Sequence, residues 1–216
     1  MSQSNGETHS EFYESIKNSF TEVLNTVPHM KAEYPEIEFR FGVIHPTDNF
    51  FKADIPKEIF DKVFNIFSQS GEWHKKESMR STDYFIKDNR LTHCEKGYLY
   101  IKKKKLASSN FSNDDCGLDI RLSVASEVPV KIPKKYEKKL PSESECTFVR
   151  HKERYTFIYD VWKYDLTILS LSGNPEKKYE IEIEILNPKY TIYKYTIPYL
   201  TDMTIKKIKD VMSLIE

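Results

Sequence analysis

The chain has 216 residues and no formal net charge, 33 Lys plus Arg standing against 33 Asp plus Glu. That length suits one large domain or two small ones, and the charge balance excludes a global field that gathers nucleic acid, so any polyanion site must be a local cluster. Hydrophobic content of 39%, with 14 Tyr and 13 Phe, fits a globular β-rich chain, while six glycines and the absence of GxGxxG or GxxxxGK[ST] argue against a Gly-rich nucleotide cradle.

The opening "MSQSNGETHS" is polar, and residues 1–10 read as a disordered lead to a single domain over residues 11–216. No apolar run approaches 18 residues, so neither a signal peptide nor a membrane span is expected. Cys94, Cys116 and Cys146 are odd in number and widely spaced; they imply neither a disulfide framework nor a zinc site and suit a reducing, intracellular compartment. From Ser10, Phe12, Ile16, Phe20, Val23, Leu24 and Val27 recur at helical spacing until Pro28. Asp54 is placed to cap a second helix carrying Phe60, Val63, Phe64 and Phe67. A third helix, from Thr201 or Thr204, closes the chain with Ile205, Ile208, Val211, Met212 and Ile215 on its buried side.

Between the helices the sequence reads as strands. "PEIEFRFG" alternates Glu36, Glu38 and Arg40 with Ile37, Phe39 and Phe41; "GLDIRLSV", "VWKYDLTIL" and "YEIEIEIL" alternate likewise. "RSTDYFI", "NRLTH", "GYLYIKKKK", "FVRHKERYTFIY" and "YTIYKYTI" complete the set, with loops at 105–117, 126–145 and 170–178.

Glu180, Glu182 and Glu184 form one row, roughly 6.7 Å apart along a strand. Neighbours in such a row repel by only about 0.6 kcal/mol in water, but by about 2.5 kcal/mol at an effective dielectric of 20. A solvated row is the bland reading of this strand taken alone. A row inside a cavity needs cations. Together with Glu36 and Glu38 it puts five carboxylates in one place, and oxygen-only ligands select Mg2+ or Mn2+ over zinc. Opposing rows are basic: Arg150, Lys152 and Arg154 alternate, Arg121 precedes Ser123 and Arg90 precedes Thr92. Alternation admits two of Lys102 to Lys105 to the same face without saying which pair. Such a wall matches a triphosphate, Arg forking onto its oxygens and Lys acting as a point charge. Closing the sheet with its charged face inward gives a barrel lined with acid and base, the helices covering its apolar outside.

The ordered pair "EIEFRFG" and "YEIEIEIL" resembles the paired glutamate motifs of the triphosphate tunnel metalloenzymes. Within them the early E-x-E-x-R and late E-x-E-x-E are most similar to the metal-dependent RNA 5′-triphosphatases of fungal and DNA-virus capping systems, with a giant-virus, mimivirus-like member expected. "DIRLSVASE", the R-x-K-x-R of Arg150–Lys152–Arg154 and "DLT" at Asp165 to Thr167 support the match. The resemblance implies an α+β fold, a closed antiparallel eight-stranded barrel with a charged tunnel and flanking helices. It implies Glu36, Glu38 and Glu184 as metal ligands, Glu182 aligning and deprotonating water, and Glu180 supporting the site. Arg90, Arg121, Arg150, Lys152 and Arg154 would grip phosphates, with Asp165 and Thr167 bracing. Arg40 stands where related branches place Lys.

The expected reaction is γ-phosphate hydrolysis of 5′-triphosphate RNA, with nucleoside triphosphates as side substrates. A small-molecule tripolyphosphatase or thiamine-triphosphatase-like enzyme, a non-catalytic RNA-binding or polyphosphate-binding barrel, and a plain β-domain with solvated rows are the alternatives. No KxDG-type lysine motif is present, so a guanylyltransferase is expected in trans or downstream. The expected location is the host cytoplasm or the virion.

Overall fold

The computed structural model describes residues 4–113 and 117–215. In chain order its elements are α1 (Ser4–Thr26), β1 (Pro35–Ile44), β2 (Phe51–Lys52), α2 (Lys57–Gln69), β3 (Lys75–Ile86), β4 (Asn89–Cys94), β5 (Gly97–Phe111), β6 (Asp119–Pro129), α3 (Lys134–Glu137), β7 (Phe148–Tyr159), β8 (Trp162–Leu171), β9 (Lys178–Ile185), α4 (Pro188–Lys194) and α5 (Ile197–Ser213). Eight strands run β1-β6-β5-β4-β3-β7-β8-β9, and β9 pairs back onto β1. Every pairing is antiparallel. The ring is closed, which removes the free edge that an open sheet exposes.

The period of two in the sequence decides which face closes inward. Ile37, Phe39 and Phe41 of β1, Ile120, Leu122 and Val124 of β6, and Ile181, Ile183 and Ile185 of β9 are buried outside the barrel wall. They pack under Ile16, Phe20 and Leu24 of α1, Phe60, Val63 and Phe67 of α2, and Leu200, Ile208 and Val211 of α5 in one continuous core. Each such side chain contributes about 1.5–3 kcal/mol by leaving water. A smaller cluster of Leu91, Tyr100 and Tyr136 seats α3 on the β4–β5 face. Trp162, at the start of β8, donates its indole N–H to Thr204 of α5 at 2.8 Å, tying that helix to the barrel. With apolar residues committed outward, the alternating Glu, Arg and Lys positions face a central tunnel.

Several boundaries differ from the sequence reading. The first helix starts at Ser4, within the lead expected to be disordered; extending a formed helix gains a hydrogen bond for each residue fixed. Residues 1–3 lie outside the described residues. Asp54 does not cap α2: it accepts the Tyr179 backbone N–H at 3.1 Å, and Pro56 occupies the N-cap. Of the expected loop at 105–117, the part up to Phe111 belongs to β5, which passes through a register shift between Lys105 and Ala107; residues 114–116 lie outside the described residues. "YTIYKYTI" is not a strand. Asn187 turns the chain with φ 44°, Pro188 opens α4, and Thr196 caps α5 by accepting the Tyr199 N–H. Both sides of β9 are already paired, by β8 and β1, so β-propensity there finds no partner.

Candidate active site

The strand register sets the acids side by side. Glu38 of β1 faces Glu184 of β9, and Arg40 faces Glu182. Across β8 and β9, Lys163 faces Glu184, Asp165 faces Glu182 and Thr167 faces Glu180. Directly opposed residues on antiparallel strands lie about 4.5–5.5 Å apart, so the carboxylates need interleaved cations. Arg40 supplies one, 3.1 Å from Glu38 and 2.8 Å from Glu182. Lys103 supplies another, bonded to Glu36 and lying 3.3 Å from Glu127 and 4.0 Å from Glu38. Lys163 is bonded to Glu184 and lies 3.3 Å from Asp165. The enclosed space is about 210 Å³, lined by six glutamates and seven Lys or Arg side chains.

These surroundings split the acids electrostatically. Burial, then the neighbouring Glu182, pushes Glu38 up to about 7 despite Arg40. Burial likewise raises Glu36 and Glu184, and burial followed by Glu182 raises Glu180. Glu182 goes the other way. Burial opposes its ionisation, but Arg40 and Arg154 outweigh burial and hold it at about 2.

Across the tunnel stands a braced basic wall. Asp83, with no exposure, receives Arg150 at 2.9 Å and Lys152 at 2.8 Å, and accepts the Thr92 hydroxyl at 2.7 Å. Asp165 lies 3.0 Å from Arg154, and Thr167 accepts the Arg154 Nε–H at 3.1 Å. Thr156 completes the set, donating to Asp165 at 2.5 Å. Burial, with Arg154 adding like charge, lowers Lys152 to about 8 in spite of Asp83. Arg90 Nε, Arg150 Nε and Ser81 Oγ are buried without a hydrogen-bond partner, a cost of about 1–3 kcal/mol each that an anion's oxygens would relieve.

Of the residues singled out in the sequence, Glu36, Glu38, Arg40, Arg90, Arg150, Lys152, Arg154, Glu180, Glu182 and Glu184 line the one cavity, with Asp165 and Thr167 bracing Arg154. Arg121 does not join them. It lies beside Arg40 in the register, donates to Asn110 at 2.9 Å and stacks 4.4 Å from the Phe51 ring, outside the lining. Within the 102–105 run, Lys103 faces the tunnel while Lys105 is exposed. Glu127 and Lys163 also line the tunnel and Asp83 braces its basic wall, three positions that sequence reasoning did not single out. Lys163 and Glu127 share a face with recognised residues, but nothing local marks Asp83.

Among the described residues no three Asp, Glu, His or Cys side chains already converge as a metal cluster; ammonium groups hold the carboxylates instead. The donor set nevertheless fits a hard divalent cation: Glu36, Glu38 and Glu184 are oxygen donors on paired strands, and burial raises the proton affinity of all three. Lys103 and Lys163 each contact a second acid, Glu127 and Asp165, so both would keep a counter-charge if Glu36 and Glu184 were to ligate a cation.

The family model mRNA_triPase, described as the mRNA capping enzyme β chain, matches residues 2–197. Among solved structures, the S. pombe Pct1 RNA triphosphatase superposes with a TM-score of 0.69 at 18% identity, covering 94% of this chain and 91% of that one. A second structure of it, in complex with the Spt5 CTD, gives 0.69 at 17% identity, covering 94% and 92%. The Mimivirus capping enzyme triphosphatase gives 0.60 at 16% identity, covering 94% and 97%. At these identities the likeness shows the tunnel fold. Comparison with curated proteins finds no match.

Proposed function

Because the chain belongs to the mRNA capping enzyme β-chain family of RNA triphosphatases, we propose that its tunnel cleaves the γ-phosphate from 5′-triphosphate RNA with the residues assembled here. The observation that carries this reading is the face-off of the Glu38–Glu182–Glu184 row and the Arg150–Lys152–Arg154 row inside one closed barrel. Water attacks the γ-phosphorus, the bond to the β–γ bridging oxygen breaks, and RNA 5′-diphosphate and inorganic phosphate leave. Such transfer gains mainly from positioning and charge neutralisation. Arg154, braced by Asp165 and Thr167, faces the γ-phosphoryl group; Lys152 and Arg150 take charge that builds on the leaving diphosphate.

Glu36, Glu38 and Glu184 would hold Mg2+ or Mn2+, which when bound neutralises and polarises the γ-phosphoryl oxygens. Glu182, held ionised by two guanidinium groups, is a strong hydrogen-bond acceptor but a weak base, so it orients the water. Glu180, raised by burial, is the better proton acceptor of the two. This divides between two residues the orienting and deprotonating work expected of Glu182 alone.

A site reading chiefly phosphate also turns over nucleoside triphosphates. The diphosphate product requires a guanylyltransferase, on a partner chain or in a longer polypeptide. Turnover of triphosphate-ended RNA, ATP and inorganic tripolyphosphate, measured side by side with Mg2+ and with Mn2+, tests the assignment. RNA is expected to be the preferred substrate, and a strong preference for tripolyphosphate would move the chain to a small-molecule branch.

A further inference from the structure

The inward positions of β3, β4 and β7 include one aromatic layer. Phe85 of β3 pairs directly with Phe148 of β7 on one side and with Arg90 of β4 on the other. The two rings stack at 4.0 Å and 21°, and the Arg150 guanidinium sits 5.2 Å from the Phe85 centroid. Neither phenylalanine belongs to an apolar core, and Phe148 is 42% exposed. An aromatic pair turned inward, with one face open and two guanidinium groups beside it, is wasted as packing. It has the composition of a single-stranded nucleic acid platform, a π-surface next to phosphate-binding cations.

Along β7 the inward order is Phe148, Arg150, Lys152, Arg154, about 20 Å from first to last by strand rise. Nucleoside, α-, β- and γ-phosphate follow one another in the same order, and Arg154 is the member nearest Glu182. Arg90 Nε and Arg150 Nε, both buried and unpartnered, lie where the α-phosphate would pass. Two exposed aromatics elsewhere, Tyr34 and Tyr190, line an adjoining hollow of about 500 Å³ that shares Glu36, Glu127 and Glu184 with the tunnel and adds Glu33 and a single lysine. That mouth repels a phosphodiester chain.

We propose that the Phe85–Phe148 pair is the platform on which the 5′-terminal nucleobase of the RNA stacks, with Arg90 and Arg150 holding the α-phosphate. The RNA thus enters at the basic end of the tunnel and its γ-phosphate leads toward the acidic end. This rests on the triphosphatase reading and adds the orientation of the substrate. Stacking serves every base, so the platform carries no sequence preference.

The test uses a 5′-triphosphate oligoribonucleotide with 2-aminopurine as its first base, whose fluorescence is quenched on stacking, and follows binding without divalent metal and turnover with it. Wild type is expected to quench the probe. Phe148→Ala is expected to abolish the quenching and to lower the ratio of kcat/KM for ATP over inorganic tripolyphosphate by about tenfold, the scale of one base stack. Phe148→Tyr is expected to restore both. Tyr190→Ala is expected to keep the wild-type quenching and ratio. Quenching that survives Phe148→Ala, or that disappears in Tyr190→Ala, overturns the proposal. Quenching without turnover on any substrate would leave the platform standing and refute the hydrolytic reading; turnover without quenching would do the reverse.

Discussion

Asp83 offers a quantitative handle on the basic wall. Asp83→Asn keeps Oδ1 for the Thr92 hydroxyl and removes only the charge that Arg150 and Lys152 share. Burial works against this carboxylate, yet Lys152 and Arg150 hold it at about 2 rather than 3.8, which corresponds to roughly 2.5 kcal/mol of native-state stabilisation. Its folded pKa is depressed, so the stabilisation is complete above about pH 4 and is lost as pH falls through about 2. At neutral pH the substitution should cost close to the full amount, somewhat less than the 3–5 kcal/mol typical of breaking a buried pair. Lys152 limits the loss, because it can shed its proton rather than remain unpaired between two arginines. A chain of this length loses about 2–4 °C in Tm for each kcal/mol, so thermal denaturation should fall by roughly 5–10 °C.

The kinetic consequence follows from the same residue. Lys152 already sits at about 8, so the wild-type kcat/KM for triphosphate substrates should decline as pH rises through about 8 and the ammonium is lost. Without Asp83 that limb should move below neutrality, with kcat/KM at pH 7.5 down by one order of magnitude or more. A variant whose Tm and alkaline limb both match wild type would refute the claim that Asp83 organises the wall.

Two other substitutions probe separate parts of the molecule. Glu182→Gln removes the charge that Arg40 and Arg154 hold but keeps the shape; kcat should drop at least about 100-fold, the scale of losing a positioned acceptor, while KM changes little in steady-state phosphate release. Gly42→Ala would place its Cβ 2.1 Å from the Lys52 carbonyl oxygen and 2.8 Å from the Phe51 ring. Forcing β2 away should lower stability by about 1–3 kcal/mol in denaturant unfolding, and a neutral result would contradict the pairing of β2 with β1.

How much of this was legible in the sequence depended on whether each signal was local. Strict alternation in "EIEFR", "RHKER" and "EIEIE" carries both which side chains share a face and how acid and base divide, so the inverted barrel and most of the site could be read. Asp83 could not, because a lone acid in "STDYF" gains its meaning only from the β3–β7 register that sets it against Arg150. The run of four lysines erased the alternation that would have marked Lys103. Arg121 has the right spacing for a phosphate ligand, but Phe51 and Asn110, distant in sequence, occupy its guanidinium. "YTIYKYTI" carries strand propensity, but ring closure leaves it no partner, and Pro188 and Thr196 start the two helices that divide it.

Release of labelled phosphate from γ-labelled 5′-triphosphate RNA, by wild type and Glu38→Ala, with Mg2+ and after chelation, tests the central claim most directly. Glu38 is 5% exposed, opposes Glu184 and contacts Arg40. Release should therefore be rapid only for wild type with metal, and at least about 100-fold slower in the other three arms. Release that is indifferent to the metal and to Glu38 would contradict the account, leaving the tunnel a place that binds phosphate without cleaving it.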